Sequence, residues 1–302
     1  MIFSNKYVTI IMVNIMEQFY EIEKNDSFNL KHIFECGQCF RWNKELDESY
    51  TGVFKNNVLN VKEENGKIKF QGICNGNIEE VVKDYFDFDT DYTKIKETLS
   101  KVDEFLEESI KFGNGIRILN QDLWEVLISF IISANNNIPR IKGIIERISK
   151  QYGKEIKYKE KVYYTFPTVE ELSKASVEDL RKLGLGFRDK RIYETTQKIK
   201  QGEIDLNEIT KIEDTNEIRE ILETLPGVGP KVADCILLFG LKRFEVFPID
   251  VWVRRVMNEL YIKNEDETKV NKKKIEELAK TKYSKLAGIA QQYLFYWKRE
   301  TA

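Results

Sequence analysis

The sequence predicts an α+β protein, with an N-terminal antiparallel β-sheet domain carrying some helices and an all-α domain after it. Three observations carry this. Val58-Leu59-Asn60-Val61 and Ile68-Lys69-Phe70 alternate with polar residues on either side of Asn65-Gly66, a strong signal for a tight hairpin. Beyond Ile78 the apolar residues recur with a helical period, and no strand signal of comparable strength returns. The 302 residues, 42% of them hydrophobic, suffice for two ordinary domains with real cores. The expected division is an N-terminal extension over 1–16, the sheet domain over 17–112 and the helical domain over 113–302.

In chain order, the run Tyr7 to Met16 is apolar but too short to span a bilayer, and no small-residue cleavage site follows it. Met12 or Met16 are alternative starts. From Phe19 to about Gly76 the pattern has strand character, with Tyr50-Thr51-Gly52-Val53-Phe54 ending at a second turn, Lys55-Asn56-Asn57. Leu123, Val126, Leu127, Phe130 and Ile131 lie on one helix face, and Ile141, Ile144, Ile145 and Ile148 on another. Thr168-x-x-Glu171 and Ser176-x-x-Asp179 each read as a helix start, because the hydroxyl accepts from an orphan amide and the acid suits the first turn.

The net charge is −2, yet residues 138–200 carry 16 basic against 9 acidic side chains. A basic block in a net-acidic chain fits a polyanion-binding face, and a solvated lysine-rich surface equally. Four cysteines, Cys36, Cys39, Cys74 and Cys235, are too few and scattered for a secreted disulfide framework. Cys36 and Cys39 form a C-x-x-C pair. With no second cysteine pair and His32 the single histidine, the ligand count falls short of structural zinc. The reading is a reduced, cytoplasmic protein.

The most informative segment is Leu225-Pro226-Gly227-Val228-Gly229-Pro230-Lys231, between a helix ending near Glu223 and an apolar one running from Pro230 towards Phe239. The two glycines allow a tight turn with exposed amides, and Pro230 suits the first helical position. Amides at a helix N-terminus bind anions, so Gly227, Val228 and Gly229 could grip a phosphodiester; a plain helix–helix turn has the same outline. Lys231 falls in the first turn with Cys235 at i+4 on the same face. The dipole there disfavours added positive charge, which favours the neutral amine that Schiff-base chemistry needs. Asp250 precedes an amphipathic helix and should cap it; the capping amides would also keep the carboxylate ionised.

The hairpin motif, followed 19 positions after Lys231 by Asp250, resembles the helix-hairpin-helix/Gly-Pro-Asp superfamily of DNA glycosylases. Within it the sequence is most similar to the eukaryotic-type 8-oxoguanine DNA glycosylases. Four further segments in that family's order carry the resemblance: Cys36-Gly37-Gln38-Cys39-Phe40-Arg41-Trp42, Asn135-Asn136-Asn137-Ile138-Pro139-Arg140, Leu183-Gly184-Leu185-Gly186-Phe187-Arg188 and Ala290-Gln291-Gln292-Tyr293-Leu294-Phe295.

The resemblance implies a helical domain in two lobes and an enzyme that flips the damaged nucleotide out of the duplex. Lys231 would attack the anomeric carbon and form a Schiff base, with β-elimination as the associated lyase step, and Asp250 would stabilise the cationic sugar. Gly37 would accept from N7–H of 8-oxoguanine, a hydrogen guanine lacks. Cys235 and Phe295 would sandwich the base and Gln291 read its Watson–Crick edge. Asn135 would fill the vacated space, Phe187 wedge into the stack, and Arg140 and Arg188 donate to the orphaned cytosine. No cofactor is required, though hairpin carbonyls could hold a structural monovalent or divalent cation. The partner would be double-stranded DNA with 8-oxoguanine opposite cytosine, bound by a monomer, away from membranes, at the bacterial nucleoid. Trp252 departs from the histidine of animal relatives, so the phosphate grip would be weaker or rebuilt by Arg254 or Arg255. Neither Cys36 nor Cys39 has an evident chemical role. The alternatives are a glycosylase of the same superfamily for another damaged base, and a non-catalytic helix-hairpin-helix DNA-binding protein. The absence of a cysteine cluster after Cys235 and the presence of both Lys231 and Asp250 weigh against them.

Overall fold

Residues 17–266 and 270–302 are described by a computed structural model, so the extension expected at 1–16 lies outside the described residues. Strands β1 (Gln18–Glu23), β2 (Trp42–Lys44), β3 (Tyr50–Phe54), β4 (Asn57–Glu64) and β5 (Lys67–Ile73) form an antiparallel sheet in the order β1-β5-β4-β3-β2. Asn65 and Gly66 turn between β4 and β5 with φ of 54° and 75°, the left-handed pair the hairpin demands. Lys55 and Asn56 do the same between β3 and β4. Val61 consequently faces Phe70 across the sheet, both fully buried.

One face of this sheet is closed by α1 (Leu30–Phe34) and α2 (Ile78–Tyr85). Phe34 stacks on Trp42 with centroids 4.1 Å apart, and Tyr85 on Phe54 at 3.8 Å. Helix α1 lies inside the stretch read as strand. Five residues show no period, and only the Asn29 cap, which accepts from the His32 amide, marks it.

The chain then continues through α3 (Tyr92–Ser100), α4 (Glu104–Phe112), α5 (Leu123–Ser133) and α6 (Ile138–Tyr152). Next come α7 (Val169–Leu172), α8 (Val177–Lys182), α9 (Asp189–Lys200) and α10 (Leu206–Ile209). The last five are α11 (Thr215–Glu223), α12 (Pro230–Leu241), α13 (Val251–Met257), α14 (Lys272–Tyr283) and α15 (Ala287–Thr301). Thr168 and Ser176 head α7 and α8 in reciprocal capping boxes with Glu171 and Asp179. Leu127, Ile131, Ile144, Ile236 and Leu294 share the larger core, which also takes in Leu99, Leu106 and Ile110 of α3 and α4 and, from the sheet side, Cys36 and Phe40.

The helical half is not purely α. Strands β6 (Glu155–Tyr158) and β7 (Lys161–Tyr164) form a hairpin whose Ile156, Tyr158 and Tyr163 pack on Val53, Val58 and Ile73 of the main sheet. Its turn is Lys159-Glu160, with Lys159 at φ 52°, and neither residue is one that announces a turn.

Candidate active site

The segment between α11 and α12 forms the expected hairpin. Gly227 has φ 92°, and a Cβ there would stand 3.0 Å from Ile131 Cγ2 and Arg191 Cδ, so conformation and space both disfavour a side chain. The Thr195 hydroxyl donates to the Pro226 carbonyl at 3.0 Å and the Val228 amide to that of Leu225 at 3.0 Å, fixing the loop. Gly229 is the N-cap of α12 and offers no side-chain acceptor, so no side chain of the cap competes for the first-turn amides.

Lys231 follows in that first turn, half-buried, with Nζ 5.4 Å from the centre of the Phe130 ring. Its charge acts on the Cys235 thiol, one turn further along α12. Burial pushes this thiol up to about 11 against the pull of Lys231, and the charge of Asp250 adds to the rise. Cys235 is therefore neutral. Asp250 caps α13 as expected, accepting from the Val253 amide at 2.7 Å. Trp252, the second residue of α13, has an indole N–H that is buried without a hydrogen-bond partner.

The residues expected to line a base pocket are far apart in the sequence. Gly37, at φ 91°, lies against Phe295, whose Cε1 would be 3.6 Å from a Cβ at that position. Gln291, one turn before Phe295 on α15, is buried, and its Oε1 accepts from the Gln292 side-chain Nε2 at 2.7 Å. Gln38, beside Gly37, is the anchor that the sequence left unread. Fully buried, it donates to the carbonyls of Ile33 and Arg117 at 2.9 and 2.7 Å and accepts from the Leu119 amide at 2.9 Å, pinning the Gly37 turn from both sides. The thiols flanking Gly37 are buried and free. Burial pushes Cys36 up to about 11 and raises Cys39 further, so both are inert.

A second cluster gathers where α5, α6 and α9 meet. Asn135 is exposed in left-handed conformation, φ 51°, and Arg140 is exposed with Nη2 3.5 Å from the Gly184 carbonyl. Phe187 is 55% exposed, its ring held by the guanidiniums of Arg188 at 4.2 Å and Arg191 at 5.2 Å. Arg188, the other donor expected for the orphaned cytosine, is turned inward. It is only 1% exposed, and its donors go to the carbonyls of Ala134, Asn135 and Leu185. In this conformation the fork shapes the turn that presents Asn135.

These features have counterparts in known proteins. Residues 20–127 match the 8-oxoguanine DNA glycosylase N-terminal domain, and 128–285 the HhH-GPD superfamily of base excision DNA repair proteins. The N-glycosylase/DNA lyase of Saccharomyces cerevisiae is 33% identical over 85% of this chain and 73% of its own. The chain belongs to the 8-oxoguanine DNA glycosylase family. It is thus a DNA glycosylase and DNA-(apurinic or apyrimidinic site) lyase of base excision repair. A probable N-glycosylase/DNA lyase of Methanothermobacter thermautotrophicus is 34% identical over 72% of each chain. The solved 8-oxoguanine glycosylase/lyase of Clostridium acetobutylicum, in complex with double-stranded DNA containing cytosine opposite 8-oxoguanine, is 42% identical, covers 93% of this chain and 98% of its own, and superposes with a TM-score of 0.86. Among the described residues of this glycosylase, no helix is long and apolar enough to cross a membrane, and no three His, Cys, Asp or Glu side chains group to hold a metal.

Proposed function

We propose that this glycosylase removes 8-oxoguanine, preferably opposite cytosine, by Schiff-base chemistry at Lys231. The observation that carries the reading is the placement of Lys231 in the first turn of α12, directly after the Gly227-Val228-Gly229 hairpin and with no side chain capping that helix start, together with Asp250 as the cap of α13. The neutral amine attacks C1′ while the C1′–N9 bond breaks, its electron pair leaving with the base, which takes up a proton. Asp250, whose carboxylate accepts from the Val253 amide, would face the positive charge that develops on the sugar. Ring opening gives the iminium, and loss of a C2′ proton expels the 3′ phosphate, which is the lyase step.

Gly37 would accept from N7–H, Cys235 and Phe295 would stack on the base, and Gln291 would turn its amide to the Watson–Crick edge. Neutrality suits Cys235, since a thiolate would repel the electron-rich base. On the other strand, Asn135 would fill the gap, Phe187 wedge, and the exposed Arg140 present its guanidinium to cytosine. Arg188 would reach the same base by exchanging one carbonyl contact. Gly227, Val228 and Gly229 would hold a phosphate by their amides. A structural cation at the hairpin would bind carbonyl oxygens, of which those of Leu225 and Pro226 already accept one bond each and keep one lone pair. The named substrate of the Clostridium acetobutylicum relative supports the choice of lesion and partner base.

Borohydride trapping on a duplex with 8-oxoguanine opposite cytosine tests the chemistry. A covalent adduct is expected with the wild type and none with Lys231→Gln. No adduct on any oxidised-purine duplex would refute the reading.

A further inference from the structure

Arg299 stands one turn beyond Phe295 on α15, and its guanidinium is fixed on two sides. Nε and Nη2 lie 3.3 and 3.1 Å from the Glu300 carboxylate, and Nη2 also donates to the Glu35 carbonyl, two residues before Gly37. The third side, Nη1, is buried and has no hydrogen-bond partner. A Cβ at Gly37 would stand 3.5 Å from this Nη1 and 3.6 Å from Phe295, so the orphan donor shares a corner with both residues. The guanidinium also lies over the Phe295 ring, 5.3 Å from its centre. Leaving a charged N–H buried and unpaired is costly, and such a group in a native fold calls for a reason.

We propose that Arg299 is a specificity-determining residue whose Nη1 donates to the C8 carbonyl oxygen of 8-oxoguanine. The proposal rests on the reading of Gly37 and Phe295 as base-pocket residues. The oxidised base differs from guanine at two adjacent atoms: N7 gains a hydrogen and C8 gains an oxygen. A backbone carbonyl next to a guanidinium N–H is an acceptor–donor pair of matching polarity. Guanine offers the reverse, a lone pair at N7 and a hydrogen at C8, so both contacts turn unfavourable together. Because Arg299 is already held by Glu35 and Glu300, the lesion completes its hydrogen bonds without loss of side-chain freedom at binding.

The test compares duplexes bearing 8-oxoguanine or 8-thioguanine opposite cytosine; the thio base keeps N7–H and replaces the C8 oxygen with a weakly accepting sulfur. Wild-type single-turnover excision should favour the oxo base by about tenfold or more, the range of a charge-assisted hydrogen bond. Arg299→Leu should slow excision of 8-oxoguanine by roughly ten- to a hundredfold and abolish the oxo-over-thio preference. Arg299→Lys, which keeps a charge and loses the fork, should fall between the two. Trapping of both variants on a preformed abasic site, which presents no base, should stay within about twofold of wild type, the marker of an intact fold and an intact Lys231. The proposal is overturned if Arg299→Leu excises 8-oxoguanine at the wild-type rate, slows both bases by the same factor, or loses abasic-site trapping. A wild type that neither excises nor is trapped on any of these duplexes would instead defeat the underlying glycosylase reading.

Discussion

The carboxylate that caps α13 is the one assigned to face positive charge at the sugar, and at Asp250 one substitution separates the two tasks. Asparagine caps as well as aspartate but carries no charge. Asp250→Asn should therefore leave unfolding free energy within about 0.5 kcal/mol of wild type, while single-turnover excision falls by roughly 10²- to 10⁴-fold. Chemical denaturation and a quenched-reaction assay on the same preparations check both halves. The two arginines of the opposite-base cluster divide in the other sense. Arg140 is exposed, so Arg140→Ala should cost under about 0.5 kcal/mol of stability and relax the preference for cytosine. Arg188→Ala removes buried donors from three carbonyls and should cost about 2–4 kcal/mol. Equal excision opposite all four bases by the unmodified protein would sink the role given to Arg140.

Among the elements, the α11–α12 hairpin has the least freedom. Gly227→Ala meets a positive φ and two close neighbours, so it should cost about 1–3 kcal/mol and lower the slope of DNA affinity against salt. Salt titrations of binding by both proteins check the second point. This hairpin was fully legible in the sequence, because its glycines, proline and flanking apolar runs act locally. The same holds for the Asn65-Gly66 turn, the two capping boxes and the Asp250 cap. Helix α1 and the β6–β7 hairpin were not legible, since five residues show no period and the Lys159-Glu160 turn lacks turn chemistry; tertiary contacts with the sheet hold that hairpin. Nor could spacing reveal that Gln38 anchors the Gly37 turn or that Arg188 turns inward. Both depend on carbonyls brought near by folding, which no local pattern encodes.

Across the whole molecule, the sheet half and the helical half are joined by polar contacts as well as by core. His32 Nδ1 accepts from the Gly115 amide at 3.2 Å, which only a ring unprotonated at that nitrogen can do. Burial, helped by the charge of Lys31, lowers His32 to about 4. The folded state thus resists a proton that the unfolded chain takes up near pH 6.5, so stability is lost as pH falls from there towards 4. His32→Gln keeps an acceptor without titrating. Its melting temperature should decline less than that of the wild type between pH 7 and pH 4, and parallel melting curves would contradict this assignment.

Gly37 lies near the start of the chain, while Gln291, Phe295 and Arg299 sit on its last helix. The corner proposed to read the lesion is thus closed only by long-range packing, whereas Lys231 and the hairpin are set by neighbouring residues. Loosening the end of α15 would remove the proposed choice of base and leave the amine in place, so selectivity should fail before the fold does as denaturant rises.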